Sequence, residues 1–390
     1  MIKRNLERKL KQLWEKFPVI TLTGPRQSGK TTLVKHTFPD LDYVSLETPD
    51  IREFAQEDPR GFLMNYNDGV IIDEAQRVPA LFSYIQTIVD DKNKPGMFIL
   101  TGSQNFLLSE KVSQSLAGRA AILKLMPFSN GELSERSRHG DNLNSALFKG
   151  FYPRIYDLDS APQEWYPGYV QTYLERDVRM IKNITNLASF QRFLRLCAGR
   201  VGQTLNLSSL SIDSGVSTST VKAWLSLLES SYIIFFLKPH FENFRKRLIK
   251  MPKLYFVDSG LACYLLGIEN EAQLETHYLK GALFESMIIS EFHKYRYNLG
   301  REPNCYYWRD KTGHEIDCII DSGGTLLPVE IKSGATVKSM FFHGLQYWSK
   351  IAEQDPSLAA LIYGGDRKER RAHGQVLPWH QATDAFKLIP

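Results

Sequence analysis

Five β-favouring residues, Val19-Ile-Thr-Leu-Thr23, run directly into Gly24-Pro-Arg-Gln-Ser-Gly-Lys-Thr31, after which the sequence takes on helical character. This junction constrains the fold more than any other feature. With further β-rich runs recurring between helical stretches downstream, the expected class is α/β with a parallel sheet. The loop satisfies G-x-x-x-x-G-K-[ST] at every fixed position. Glycines let the backbone curl close to phosphates, while successive N–H groups and the helix N-terminus attract anions. Gly24, Arg26, Gln27, Ser28, Gly29, Lys30, Thr31 and Thr32 are therefore expected to hold ATP or GTP, with Lys30 supplying charge and Thr31 a hydroxyl for Mg²⁺.

Short β-rich runs recur over 19–23, 42–46, 70–73, 97–101 and 121–125, between helical stretches. Five such runs fit one parallel P-loop sheet. The third ends in Asp73-Glu74, so an apolar strand delivers two carboxylates to the edge where the loop emerges. Asp73 is expected to hold Mg²⁺, and Glu74 to polarise a water. The fourth ends in Thr101-Gly-Ser103, and either hydroxyl is a candidate sensor of the terminal phosphate. A helix is expected over 107–116, followed by Arg119, which in an assembled oligomer reaches a neighbour's γ-phosphate.

Composition sets the frame for this site. The 390 residues suffice for two or three domains, and 48 basic against 43 acidic side chains leave a net charge of +5, too little to demand a polyanion. Four dispersed cysteines show no zinc spacing and suit a reducing compartment. The cationic start, broken by Glu7 and Glu15, reads as an amphipathic helix rather than a signal peptide, and the apolar run 232–237 is too short for a bilayer. A cytoplasmic protein without membrane attachment is the expectation.

Downstream, polar residues over 134–149 suggest a linker, and 165–182 a helix serving as lid or connector. Helices over 190–198, 208–213 and 217–229, then strands over 232–237 and 253–257, have the order of a winged helix. The turn Asp213-Ser-Gly-Val-Ser217 has the length and glycine of a helix-turn-helix. The helix after it offers Ser217, Thr218, Ser219, Lys222 and Ser226, with one cation among them. Arg245 to Arg247, Lys250 and Lys253, interleaved with Phe241 and Phe244, are candidate phosphate contacts. Nucleic-acid contact and packing on a protein surface both stay open.

The last region reads as a helix over 282–297, strands over 305–309, 315–320 and 326–332, a helix over 338–352 and a strand over 359–363. That αβββαβ order resembles the restriction-endonuclease-like core. Asp317 and the Glu330-Ile-Lys332 triplet fall on adjacent strands, and Glu330 and Lys332 share a face. In such enzymes the carboxylates hold Mg²⁺ and the lysine positions the nucleophile, with Glu285 on the preceding helix as an extra acid. His314 reads as a polar surface group.

The loop 24–31, Asp73-Glu74, Thr101-Gly-Ser103, Ser115-Leu-Ala-Gly-Arg119 and Tyr169-Val-Gln-Thr-Tyr-Leu-Glu-Arg-Asp177 together resemble prokaryotic AAA-type ATPases that carry a C-terminal domain of unknown function. The resemblance implies ATP rather than GTP, and an Arg119 acting on nucleotide in trans or as a sensor. The expected domains are an ATPase core over 1–135, a linker and connector over 136–189, a winged helix over 190–260 and the nuclease-like domain over 275–390. Three functions follow as candidates. One is an ATP-hydrolysing switch or motor, homo-oligomeric, acting on nucleic acid through catalytic Glu74, Arg119, Asp317, Glu330 and Lys332. Another is an ATP-dependent interaction protein with a silent nuclease-like domain. The third, a small-molecule kinase, is disfavoured because Asp73-Glu74 suits water activation.

Overall fold

The computed structural model describes residues 2–66, 68–102, 115–134, 142–158, 160–174, 187–240 and 250–389. Its first strand, β1 (Val19–Thr23), is buried at every position, as a central strand covered on both faces must be. With β2 (Asp42–Ser45), β3 (Val70–Asp73), β4 (Phe98–Thr101) and β5 (Ala120–Lys124) it forms a five-stranded sheet in the order β2-β3-β4-β1-β5. All pairings are parallel. On one face Val19, Ile72 and Leu100 pack with Phe62, Phe82 and Ile85 from covering helices. On the other, Ile20, Leu22 and Ile99 pack with Leu33 and Val34 of the helix Lys30–Thr37 and with Leu6 and Leu10. The amphipathic N-terminal helix spans Glu7–Trp14.

Two compact units divide the chain. The sheet belongs to the first, which comprises Met1–Phe128 with Ser230–Tyr232 and Arg296–Arg301; the second comprises Ser129–Glu229, Ile233–Tyr295 and Glu302–Pro390. The second unit has helices Leu187–Ala198, Leu207–Ser214 and Thr218–Ser230, then an antiparallel pair of strands, β6 (Ile234–Leu237) and β7 (Lys253–Phe256). Next come the helix Lys280–Asn298, strands β8 (Cys305–Arg309), β9 (Glu315–Ser322) and β10 (Thr325–Lys332), the helix His343–Ala352 and β11 (Ala360–Tyr363). Helix, three strands, helix, strand is the element order expected from the residues. The turn between β9 and β10 is fixed by Gly323 and Gly324, both at positive φ, and by the Gly324 N–H donating to Asp321 Oδ1 at 3.0 Å.

Three expectations change. The stretch 134–149 is not a linker throughout: Leu143–Lys149 is a helix that buries Leu143, Ala146, Leu147 and Phe148, four apolar residues that a polar linker has no use for. The helix expected from 165 runs as α-helix over Pro162–Tyr169 and widens to a π-helical turn at Val170–Leu174. Pro167, which lacks an N–H to donate, sits just before the change. Two strands were not anticipated, β12 (Glu369–Arg371) and β13 (Gly374–Pro378); they extend the sheet to the order β12-β13-β11-β10-β9-β8. Most of the expected helix at 107–116, the segment 175–182 and Arg245 to Arg247 with Phe241 and Phe244 lie outside the described residues.

Candidate active site

The loop after β1 closes on itself. Gly24 (φ 147°), Gln27 (φ 63°) and Gly29 (φ 90°) all have positive φ, and Gly29 caps the helix Lys30–Thr37 from the left-handed region. A Cβ on Gly24 would lie 2.1 Å from the Leu125 carbonyl oxygen, so this glycine is required by the segment after β5 as well as by any ligand. Lys30 folds back, its Nζ donating to the carbonyls of Gly24 at 3.0 Å and Pro25 at 2.8 Å. Burial lowers its pKa to about 8, against the opposing pull of Glu74 and Asp73. Ser28 Oγ is buried without a hydrogen-bond partner.

A residue not singled out from the sequence braces this loop. Arg4, 5 % exposed, donates from Nη1 to the Ser28 carbonyl at 2.8 Å and from Nη2 to that of Met126 at 2.6 Å. Its guanidinium lies 4.8 Å from the centre of the Phe128 ring. In a trans peptide the C=O and N–H point opposite ways, so fixing the Ser28 oxygen also fixes the Gly29 N–H.

Strand order explains the acidic side. β4 lies between β1 and β3, so Thr101 at its end stands between the loop and Asp73. Thr101 Oγ1 donates to Asp73 Oδ1, and Thr31 Oγ1 donates to Asp73 Oδ2 at 2.9 Å. Tyr43, on β2 beside β3, donates its hydroxyl to the same Oδ2 at 2.8 Å. Burial, followed by the charge of Asp73, holds the Tyr43 pKa above its ordinary value. Glu74 follows at φ 55°, a backbone strain that turns it out of the strand, and its Oε2 accepts from Gln76 Nε2 at 2.5 Å. Of the two sensor candidates, Thr101 meets Asp73, and Ser103 is outside the described residues.

Arg119 is placed differently. Val19 pairs with Ala120 and Thr23 with Lys124, so Arg119 precedes the end of β5 that is remote from the loop. It forms a bidentate pair with Asp90, Nε to Oδ1 at 2.5 Å and Nη2 to Oδ2 at 2.9 Å. A sensor of its own subunit's nucleotide is not compatible with that register.

In the second unit, Asp317 on β9 and Glu330 on β10 meet as expected and share a hydrogen bond. Lys332 Nζ bridges them, 2.8 Å from Asp317 Oδ2 and 2.6 Å from Glu330 Oε2. Asp317 Oδ2 also accepts from the Ile331 N–H at 2.8 Å. Burial opposes ionisation of Asp317, but Lys332 and Lys253 outweigh it and depress its pKa; burial and Asp317 push Glu330 well up. Among the described residues, the carboxylates that come together as a group of three, with one oxygen from each within 4.8 Å of the other two, are Glu285, Glu315 and Asp317. Glu315 therefore stands where Glu330 was expected, because Glu330 turns toward the helix His343–Ala352, where a Cβ on Gly344 would lie 2.0 Å from its Oε1.

Lys253 contradicts its expected role as a phosphate contact of an exposed wing. It is 3 % exposed, and its Nζ pairs with Glu285 Oε1 at 3.0 Å and with Glu315 Oε1. Tyr255 donates its hydroxyl to the same Glu285 oxygen. Burial disfavours the charge on Lys253, yet Glu285, Glu315 and Asp317 hold its pKa above the usual lysine value. His314 is a surface group as expected, half exposed and stacked on Tyr347. The helix Thr218–Ser230 and Ser217 expose Ser217, Thr218, Ser219, Lys222, Ser226 and Glu229, with one cation against one anion.

Residues 16–134 match an AAA domain, residues 140–272 a domain of unknown function (DUF8612), and residues 280–382 a second one (DUF4143). The AAA match and the parallel five-stranded sheet make the first unit an AAA-type P-loop ATPase domain. Among the described residues no helix is long and apolar enough to cross a membrane. The uncharacterized protein MJ1544 of Methanocaldococcus jannaschii is 22 % identical over 352 residues, spanning 82 % of this chain and 75 % of that protein. The Walker-type ATPase PABY2304 of Pyrococcus abyssi superposes with a TM-score of 0.48 at 16 % identity, over 68 % of this chain and 96 % of that one, too loose a likeness to carry an argument. The uncharacterized protein Rv2008c of Mycobacterium tuberculosis is 31 % identical over 369 residues, which is 94 % of this chain and 81 % of that protein. The chain belongs to the same family as Rv2008c, with its AAA domain at residues 16–134.

Proposed function

We propose that the chain binds ATP with Mg²⁺ in the loop 24–31 and hydrolyses it as a homo-oligomeric switch, and that its winged-helix and restriction-endonuclease-like modules act on nucleic acid. The observation that carries the ATPase reading is the meeting of Lys30, Thr31 and Asp73-Glu74, drawn from a loop, a helix start and a strand end. The residues fit the nucleotide: the unpartnered Ser28 hydroxyl, the left-handed Gly29 and the Lys30 ammonium together form an anion-seeking surface. Thr31 and Asp73 would hold the metal, which supplies charge neutralisation between phosphate oxygens. Glu74, next to the metal-side carboxylate, is the group to orient a water and take its proton. Arg119, remote from its own loop, is assigned to a neighbouring subunit's nucleotide.

The test is ATP turnover by the purified chain against protein concentration. Turnover per subunit should rise with assembly and fall in Arg119→Ala; a concentration-independent rate in a strictly monomeric sample would remove the in-trans role. For the second half of the proposal, labelled DNA and RNA are incubated with Mg²⁺ and wild type, Asp317→Ala or Glu330→Ala. Cutting lost in both variants supports catalysis. No cutting or retention by wild type on any nucleic acid leaves these modules as binders of protein partners.

A further inference from the structure

One phenol reaches the carboxylate of the nucleotide site from outside the motifs that build it. We propose that Tyr43 is a positioning residue for the metal: its hydroxyl fixes the Asp73 carboxylate, so that Mg²⁺ arriving with ATP meets an oxygen already oriented. This rests on the reading of the loop 24–31 as an Mg-ATP site. Asp73 Oδ2 accepts from Tyr43 at 2.8 Å and from Thr31 at 2.9 Å. Oδ1 accepts from Thr101 and, at 3.2 Å, from the Glu74 N–H. Thr31 can donate its one proton to Asp73 and still keep oxygen lone pairs for an ion. Tyr43 thus shares its acceptor oxygen with the metal-side threonine, and it does so from β2, a strand at the edge of the sheet.

The surroundings hold that hydroxyl in place. β2 pairs with β3 in parallel register, Tyr43 beside Ile71 and Ser45 beside Asp73, so Tyr43 and Asp73 lie on one face of the sheet. The ring packs against the apolar cluster that includes Ile71, Leu33 and Val34, and Lys35 Nζ stands 3.4 Å from its centre. Lys35 and Thr31 belong to the same helix, Lys30–Thr37, so one element supplies both the metal-side hydroxyl and the cation that seats the ring. Phenylalanine would fill nearly the same space, so packing alone does not call for the phenolic oxygen. What the oxygen adds is a second donor on Oδ2. Groups that orient a metal ligand in this way typically carry about 10- to 100-fold of the metal affinity.

The experiment is calorimetry of a non-hydrolysable ATP analogue against the full chain, once with excess Mg²⁺ and once with EDTA. The ratio of the two affinities reads the coupling of metal to nucleotide. Wild type should bind more tightly with Mg²⁺. Tyr43→Phe should lower the ratio on the order of tenfold while leaving the affinity in EDTA unchanged. Should that variant not fold, Tyr43→Leu carries the same prediction. In an Asp73→Asn parent, Tyr43→Phe should change nothing further, since the hydroxyl acts through that carboxylate. A ratio unchanged or raised in Tyr43→Phe, or an equal loss with Mg²⁺ and with EDTA, overturns the positioning role while the Mg-ATP reading stands. A wild type that binds the analogue no better with Mg²⁺ than with EDTA overturns the metal reading, and the proposal with it.

Discussion

Each candidate site sets lysine beside carboxylates, and the two balance their charges in opposite ways. In the AAA domain Lys30 spends its hydrogen bonds on the neutral carbonyls of Gly24 and Pro25, while Asp73 is satisfied by the hydroxyls of Thr31, Tyr43 and Thr101. Cation and anion are both hydrogen-bonded, yet neither is neutralised by direct ion pairing with the other. In the C-terminal domain Lys332 pairs with Asp317 and Glu330, and Lys253 with Glu285 and Glu315. The lysine pKa values follow: burial lowers that of Lys30, whereas carboxylates raise those of Lys253 and Lys332 despite burial. A buried charge without an ionic partner is costly and gains from an arriving counter-charge; a neutralised cluster gains little. The first site is built to accept a ligand, the second to keep what it has.

The sharpest way to probe the acceptor side is Glu74→Gln, which removes a base but no cation. Nucleotide should bind as before while single-turnover hydrolysis slows by roughly 10²- to 10⁴-fold, the range of general-base contributions. Lys30→Ala attacks the comparison itself: loss of a charged hydrogen-bond donor should weaken Mg-ATP binding on the order of 100-fold by calorimetry, and undiminished affinity would mean the lysine is not the waiting charge. Arg4→Ala should cost about tenfold in nucleotide affinity with little change in the rate constant of bound ATP, as expected for a group that orients the loop through Ser28. Arg4→Lys should recover part of it, one donor reaching one carbonyl.

The pH dependence is the smallest effect and separates the two lysine types. With the free-protein pKa of Lys30 lowered to about 8 and a bound phosphate raising it, nucleotide affinity is full below about pH 8. It should then fall several-fold over roughly the next unit, as free Lys30 loses its proton. In Lys30→Ala the residual affinity should be flat across that window. Equal slopes in both proteins would assign the proton elsewhere.

The residues made much of this legible where the determinants are local. β1 and β3 fall where runs of apolar residues end in the glycine loop and in Asp73-Glu74, since a central strand must be apolar on both faces. Glu315 was readable, two residues before Asp317 and so on the same face, but its worth depends on Glu285 arriving from a helix. Arg4 was not: its partners lie 24 and 122 residues away, and nothing in a cationic helix marks which cation will be buried. Lys253 was misread for the same reason. A basic stretch looks the same in sequence whether it meets solvent or carboxylates, and only the packing of β7 against Glu285 decides. The edge strand β12 hid in the charge-dense stretch from Asp366 to His373, where an exposed strand shows no apolar alternation.

The central claim is that Lys30 is a buried cation waiting for a phosphate. Isothermal calorimetry of the folded full chain with ATP and Mg²⁺ tests it most directly. A saturable heat with one site per chain, with affinity weakened on the order of 100-fold in a folded Lys30→Ala variant, is the expected result; no heat from wild type, or the same affinity in the variant, would contradict it.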